Sequence, residues 1–251
     1  MANWLKIDGK VALVTGASRG IGETIARSLA AEGVRVVVNY VLDASGRNEA
    51  DARRIAAELP GGLAVKADVS NDEEVASLFN IVRDELGGMD ILVNNAGILR
   101  DRSLRKMSLD EWNSVINVNL GGVFNCIRHA QHVLRDGGRI INLSSVSGTL
   151  GFFGQANYAA SKAGVMSLTR VAAREFARQR ITVNAIAPGF VDTEILAAMP
   201  DDVKAKFIEQ IPLGRLGKPQ DIADAVTFLS SDRAQFITGQ VIHINGGFFM
   251  G

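Results

Sequence analysis

The chain has a single cysteine, Cys126, in 251 residues. That count excludes an intrachain disulfide and leaves no thiol pair for a metal site. In its helical setting Cys126 reads as a small buried hydrophobe. Histidine is scarce too, with three in all, and His129 and His132 sit three apart on one expected helix. No third ligand accompanies them, so no metal is expected. Neither charge is in excess: 27 Lys+Arg balance 27 Asp+Glu, and no global field draws nucleic acid or an acidic membrane surface to the protein. No apolar run approaches the roughly 18 residues of a spanning helix. The first ten residues, Met1 to Lys10, lack the long apolar core of a secretory signal. These absences predict a cytoplasmic protein with no nucleic acid and no membrane partner.

Linkers, repeats and low-complexity tracts are missing as well, so residues 1–251 are expected to form one domain. What is present is 47% hydrophobic residues and 26 glycines, enough for a two-sided core with many tight turns. Apolar runs predict strands near 11–15, 35–39, 63–66, 90–94, 139–143, 181–187 and 240–244. Helical patterning falls near 21–32, 47–59, 72–86, 109–134, 157–179, 201–209 and 219–230. Regular alternation of this kind predicts an α/β fold, a single-domain Rossmann-like, doubly wound parallel sheet with helices on both faces. The segment of about 191–214 interrupts the pattern, carrying Met199-Pro200 and Ile211-Pro212. It reads as a lid over a substrate, with plain surface helix as the alternative.

The apolar run Val11 to Val14 leads directly into Thr15-Gly16-Ala17-Ser18-Arg19-Gly20-Ile21-Gly22. Glycines in a strand-to-helix turn let the backbone approach a pyrophosphate, and the unpaired amides at the helix start favour an anion. The spacing is Gly16-x-x-x-Gly20-x-Gly22, which differs from the Gly-x-Gly-x-x-Gly of the standard dinucleotide turn. Two other strands end in polar tips: Asp90 to Gly97, with Asn94 and Asn95, and Ile181 to Gly189, with a Pro-Gly stop. In an open parallel sheet these tips share the edge where ligands bind.

The second constellation is Tyr158-Ala-Ala-Ser-Lys162, with Ser145 thirteen residues upstream. Tyrosine and lysine four apart on a helix leave the same face. A neighbouring ammonium favours the phenolate, which would lower a phenol pKa that is ordinarily about 10. Such a tyrosine can exchange a proton with an oxygen near neutral pH.

Taken together, Thr15 to Gly22, Asp68-Val69, Asn94 to Gly97, Asn119, Ser145, Tyr158 with Lys162, Pro188-Gly189 and Thr193 resemble the short-chain dehydrogenase/reductase family over essentially the whole chain. Within that family the chain is most similar to the 3-oxoacyl-[acyl-carrier-protein] and acetoacetyl-CoA reductases. The similarity runs through Asn94 to Asp101, Gly154 to Tyr158, Ile211 to Gly217 and the tail Asn245 to Gly251. The resemblance implies a catalytic set of Asn119, Ser145, Tyr158 and Lys162. Tyr158 would be the acid, Ser145 a second donor to the developing alkoxide, Lys162 the holder of the nicotinamide ribose, and Asn119 the support of a proton-refilling water path. It also implies cofactor contacts from Gly16, Ser18, Arg19, Gly20, Ile21, Gly22, Asn39, Tyr40, Asp68, Val69, Asn95, Ala96, Gly97, Tyr158, Lys162, Pro188, Gly189, Val191 and Thr193.

No carboxylate ends the second strand, Arg35 to Asn39, and Arg19 resembles the basic residue that NADP-using relatives offer to the 2′-phosphate. NADP (NADPH) is therefore favoured, with NAD left open by the nearby Asp43. The expected reaction is hydride transfer to the ketone of a 3-oxoacyl thioester, a step of fatty acid biosynthesis. Oxidation of another secondary alcohol, sugar or steroid by the same residues is the alternative, and a non-catalytic binding role is a third. The basic run Arg170, Arg174, Arg178 and Arg180 could meet an acidic acyl carrier protein or be a solvated face. Asp136 and Gly137, ahead of Gly138-Arg139, depart from the basic residue that carrier-dependent relatives place there. Apolar residues on several sides of the helices near 109–134 and 157–179 predict a homotetramer.

Overall fold

Four consecutive apolar residues, Val11–Val14, form the strand β1, and all four are buried. The computed structural model of the chain describes residues 4–194 and 201–251. The other strands are β2 (Arg35–Tyr40), β3 (Leu63–Lys66), β4 (Met89–Asn94), β5 (Leu134–Leu143), β6 (Thr182–Pro188) and β7 (Val241–Ile244). They lie in the order β3-β2-β1-β4-β5-β6-β7, and every neighbouring pair is parallel. The chain steps outward from β1 to β3 and then returns to lay β4 on the other side of β1. That reversal is a topological switch point, where open α/β sheets bind ligands.

Parallel pairing demands crossovers, and helices supply them. They are α1 (Gly20–Ala31), α2 (Arg47–Glu58), α3 (Asp72–Leu86), α4 (Leu109–Ile116), α5 (Gly122–Ala130), the short α6 (Ser147–Leu150), α7 (Ala156–Glu175), α8 (Asp201–Ile208) and α9 (Pro219–Leu229). Residues alternate sides along each strand. Ala12, Val14, Val36 and Val38 pack with Ile25, Ile55 and Val226 on one face, and Leu13, Val37 and Leu92 pack with Leu78, Val123 and Val165 on the other. Both faces are dry, which is why the strands read as unbroken apolar runs. Local signals fix helix ends: Asn71 Oδ1 accepts from Glu73 N and Glu74 N at the start of α3, and Gly87, at φ +69°, closes it.

Two boundaries differ from the sequence expectation. The helix expected over 109–134 is broken by a π turn at Asn117–Gly121, and α5 ends at Ala130. Strand β5 starts at Leu134, not 139. Leu134 pairs with Met89 and Arg139 with Ile91, so the register jumps across Asp136-Gly137-Gly138. Gly137 sits at φ +76°, a left-handed conformation that glycine adopts without steric cost. Of the expected lid, α8 is present, whereas Met199-Pro200 lies outside the described residues. Among the described residues no helix is long and apolar enough to cross a membrane.

Candidate active site

The strand-to-helix turn is pinned to the neighbouring strand end. Thr15 Oγ1 accepts from Asn95 N at 3.0 Å and Ala96 N at 3.1 Å, and Asn95 Nδ2 donates back to the carbonyls of Thr15 and Gly16 at 2.9 and 3.0 Å. Gly16 lies at φ +61°, and a Cβ there would sit 2.8 Å from Ala96 Cα. No other residue type fits this crossing without moving one loop off the other. Arg19 precedes α1 in an extended conformation and gives no side-chain cap, which leaves first-turn amides open to an anion. A Cβ on Gly20 would meet nothing within 4 Å, so the turn is open on its outer side.

These loops form one wall of a cleft of about 700 Å³. Gly16, Ser18, Arg19, Gly20, Ile21, Asn39, Tyr40, Asp68, Val69, Asn95, Ala96, Gly97 and Thr193 all line it. Of the other expected cofactor contacts, Gly22, Pro188, Gly189 and Val191 are not in the lining, and each has a packing reason. A Cβ on Gly22 would lie 2.5 Å from Asn95 Nδ2, so Gly22 serves the close approach of α1 to the β4 loop. Pro188 O accepts from Val146 N, Gly189 N donates to Ile244 O, and Val191 is buried and bridged to Gly217. Asn39 faces the cleft, yet its side chain is spent within the protein. Its Oδ1 accepts from Gly16 N at 3.2 Å, and its Nδ2 donates to Val65 O and Ala67 O at 3.3 and 3.0 Å. Tyr40 likewise turns its hydroxyl to Glu49.

The proton-handling residues meet beside this cleft. Ser145 lies close enough to the Tyr158 hydroxyl to favour its charged form, and Ser145 Oγ accepts from Ser147 N at 3.1 Å. Lys162, 4% exposed, lies with Nζ 5.7 Å from the Tyr158 ring centre and donates to Leu143 O at 2.7 Å. A Cβ on Gly97 would come within 3.6 Å of that Nζ and 3.3 Å of Asn119 Oδ1, so the cleft and the cluster adjoin at Gly97. Asn119 sits in the π turn, fully buried. It grips both sides of one peptide position, accepting from Ile98 N at 2.8 Å and donating to Ile98 O at 3.0 Å.

One electrostatic expectation is corrected. The phenol of Tyr158 is raised above its usual range: burial is the largest cause, opposed by the Ser145 hydrogen bond, with the Asp101 charge adding to the rise. Lys162 is not among the causes of that rise; burial draws its own amine down to about 8, and its Nζ donates to Leu143 O.

Sequence reasoning missed several lining residues: Val41, Asn48, Ala67, Ile98, Val118 and Glu194. Most flank residues it did name, and their signal was adjacency along the chain. It also missed a hydrogen-bonded chain beside Ser145, in which Ser147 Oγ donates to Gln155 Oε1 and Gln155 Nε2 donates to Asp101 Oδ2, both at 2.8 Å. The histidine pair forms no metal site: His129 Nε2 faces Asp72 at 2.9 Å. Among the described residues no group of three His, Cys, Asp or Glu could hold a metal ion.

A glycine turn at the switch point of a seven-stranded parallel sheet, beside a serine, tyrosine and lysine cluster, defines a nucleotide-dependent oxidoreductase of the α/β class. The chain belongs to the short-chain dehydrogenase/reductase family: a family model described as "Enoyl-(Acyl carrier protein) reductase" matches residues 16–249. It is 51% identical over 243 residues to a 3-oxoacyl-[acyl-carrier-protein] reductase FabG of Staphylococcus aureus (strain N315), covering 96% of this chain and 98% of that one. The Staphylococcus epidermidis (strain ATCC 12228 / FDA PCI 1200) protein of the same name is 50% identical over 96% of this chain and 99% of its own. That of Salmonella typhimurium is 45% identical over 98% and 100%.

Family membership implies a nicotinamide nucleotide, and the residues fit one. The uncapped amides of α1 and the open side of Gly20 suit a pyrophosphate, and Asp68, Val69 and Ala96 line the same cleft. Asp43, the first carboxylate along the chain after β2, accepts from Asn48 N at 2.8 Å and from Ser45 Oγ. Those two bonds, Ser45 first, hold it below the usual carboxylate range.

Proposed function

We propose that this protein is an NADPH-dependent reductase that converts 3-oxoacyl thioesters to 3-hydroxyacyl thioesters. The observation that carries the reading is the hydroxyl pair of Tyr158 and Ser145 set beside Lys162 and Gly97 at the end of the nucleotide cleft. Near-full-length identity of 45–51% to proteins named 3-oxoacyl-[acyl-carrier-protein] reductase supports the substrate class.

When bound, the nicotinamide nucleotide supplies the hydride. The chain's own residues handle the oxygen. Burial keeps the Tyr158 phenol protonated at neutral pH, the state an acid must hold before a ketone oxygen takes up charge. Ser145 donates the second hydrogen bond to the developing alkoxide. Lys162 Nζ, adjoining the cleft at Gly97, would hold the nucleotide ribose, and Asn119 fixes Ile98 beside it. NADPH is preferred over NADH because the end of β2 offers no free carboxylate and Arg19 stands exposed on the cleft wall.

The remaining expectations belong to the same reading. Residues of about 191–214 act as the lid of the single domain 1–251. The protein is cytoplasmic and tetrameric, and its substrate arrives on an acyl carrier protein or coenzyme A. Arg180 lies 3.9 Å from Asp136, so the basic run from Arg170 to Arg180 ends at the departure from the basic pattern seen in the sequence, and its net pull on an acidic carrier is reduced. A panel of 3-oxoacyl thioesters, sugars and steroids with both nucleotides tests the assignment. Preferred turnover of 3-oxoacyl thioesters with NADPH is expected, and preferred oxidation of a sugar or steroid with NAD would overturn it.

A further inference from the structure

Arg47 and Glu194 are 147 positions apart, yet Arg47 Nη2 lies 2.6 Å from Glu194 Oε1. Glu194 and its neighbour Thr193 line one side of the nucleotide cleft, and Asn48, the residue after Arg47, lines it from the side of α2. The ion pair therefore spans the opening between two walls. We infer that it is an exchangeable clasp in which the 2′-phosphate of NADPH replaces Glu194 as the partner of Arg47, making Arg47 a second determinant of nucleotide choice beside Arg19.

The inference rests on reading the cleft as an NADPH site. Three features of the surroundings carry it. The side chains of Arg47 and Glu194 are 53% and 63% exposed, so water already competes for both ends and the pair is of the kind that contributes little to stability. A phosphate dianion offers three oxygens to a planar guanidinium and binds it more strongly than a solvated carboxylate does. Other nearby carboxylates do not take Arg47 away. Asp43 is committed to Asn48 N and Ser45 Oγ, and Asp51 holds the Arg47 Nε at 3.4 Å along the helix, a contact that leaves Nη2 free to change partner. Arg47 also sits at the start of α2, next to the Tyr40–Val41 end of β2, where an adenine ribose presents its 2′ position.

Dissociation constants for NADPH and NADH, read by nucleotide fluorescence on the intact protein, test the clasp in wild type, Arg47→Ala and Glu194→Gln. Arg47→Ala is expected to weaken NADPH about tenfold while NADH stays within about twofold. Glu194→Gln removes the competitor and is expected to tighten NADPH about threefold with NADH unchanged. Equal weakening of both nucleotides by Arg47→Ala, or NADPH affinity unimproved by Glu194→Gln, overturns the clasp while wild-type preference for NADPH leaves the cofactor reading standing. Wild type that binds both nucleotides equally overturns the cofactor reading and the clasp together.

Discussion

At Lys162 a single physical term, burial, sets both a chemical and a thermodynamic property. In the unfolded chain its amine keeps a value near 10.5, whereas the folded protein holds it at about 8. Between those values the unfolded state binds more protons, so this group makes stability rise with pH from about 8 to 10.5, and below 8 its buried charge is a constant cost. Relative to Lys162→Met, the wild-type protein should therefore gain roughly 2 kcal/mol between pH 8 and pH 10. Denaturant midpoints of the two proteins at both pH values check this, and parallel curves would contradict it. Asn119 makes the complementary residue-scale case. Its two bonds to Ile98 are part-buried, so Asn119→Ala leaves the Ile98 N–H and C=O without this partner and should destabilise by about 1–3 kcal/mol. A thermal or denaturant comparison measures that loss. Residue type and spacing singled out Ser145, Tyr158 and Lys162 in the sequence, and the family resemblance added Asn119. Neither could show that burial, not the lysine charge, dominates the phenol.

Elements place these residues, and the π turn is the clearest instance. A regular helix through 109–130 would rotate the side chains after Asn117 by the angle of the extra residue, and Asn119 would lose its reach to Ile98. Periodicity reads a continuous helix here because Val115, Val118, Val123 and Cys126 are apolar on either side of the insertion. The bonding demands of a neighbouring loop decide the break, and those lie far off in sequence. Strand β5 was misread for a related reason, since its first pairing, Leu134 with Met89, lies beyond a glycine loop. Strand tips and the glycine turn were legible because they depend on local residue types. At the α1 turn, Gly22→Ala would press a methyl group within 2.5 Å of Asn95 Nδ2 and of Gly16 O. The expected result is a loss of about 1–3 kcal/mol together with weaker nucleotide binding, measured by denaturation and by fluorescence titration. Unchanged affinity would place the turn away from the nucleotide.

For the whole molecule, the doubly wound parallel sheet and the two-sided core followed from alternation of apolar runs, the strand order coming from the structure alone, while the apolar surface left over was overestimated. Val115, Val123, Val165, Met166 and Phe176 are buried within the monomer, because the two long helical segments pack on each other as well as on the sheet. Gly164 makes that packing close: a Cβ there would lie 2.7 Å from Leu120 Cδ2. Among the apolar side chains that remain exposed are Phe124 on α5 and Val171 on α7, each near half-exposed, with Phe236 and Met250 toward the β7 edge of the sheet. Paired by twofold axes, these patches are suited to two interfaces. Light scattering at micromolar concentration should give about four times the 26.8 kDa chain mass, and a monomer would contradict the assembly.

The central claim is that a partly buried, protonated Tyr158 delivers the proton that makes a 3-oxoacyl thioester reducible. Its most direct test is the initial rate of NADPH oxidation with a 3-oxoacyl thioester at pH 7, wild type against Tyr158→Phe, with NADPH affinity measured on both. The account predicts thioester-dependent oxidation by wild type, a fall of at least ~10²-fold in the variant, and NADPH affinity nearly unchanged. Near-full turnover by Tyr158→Phe would contradict it.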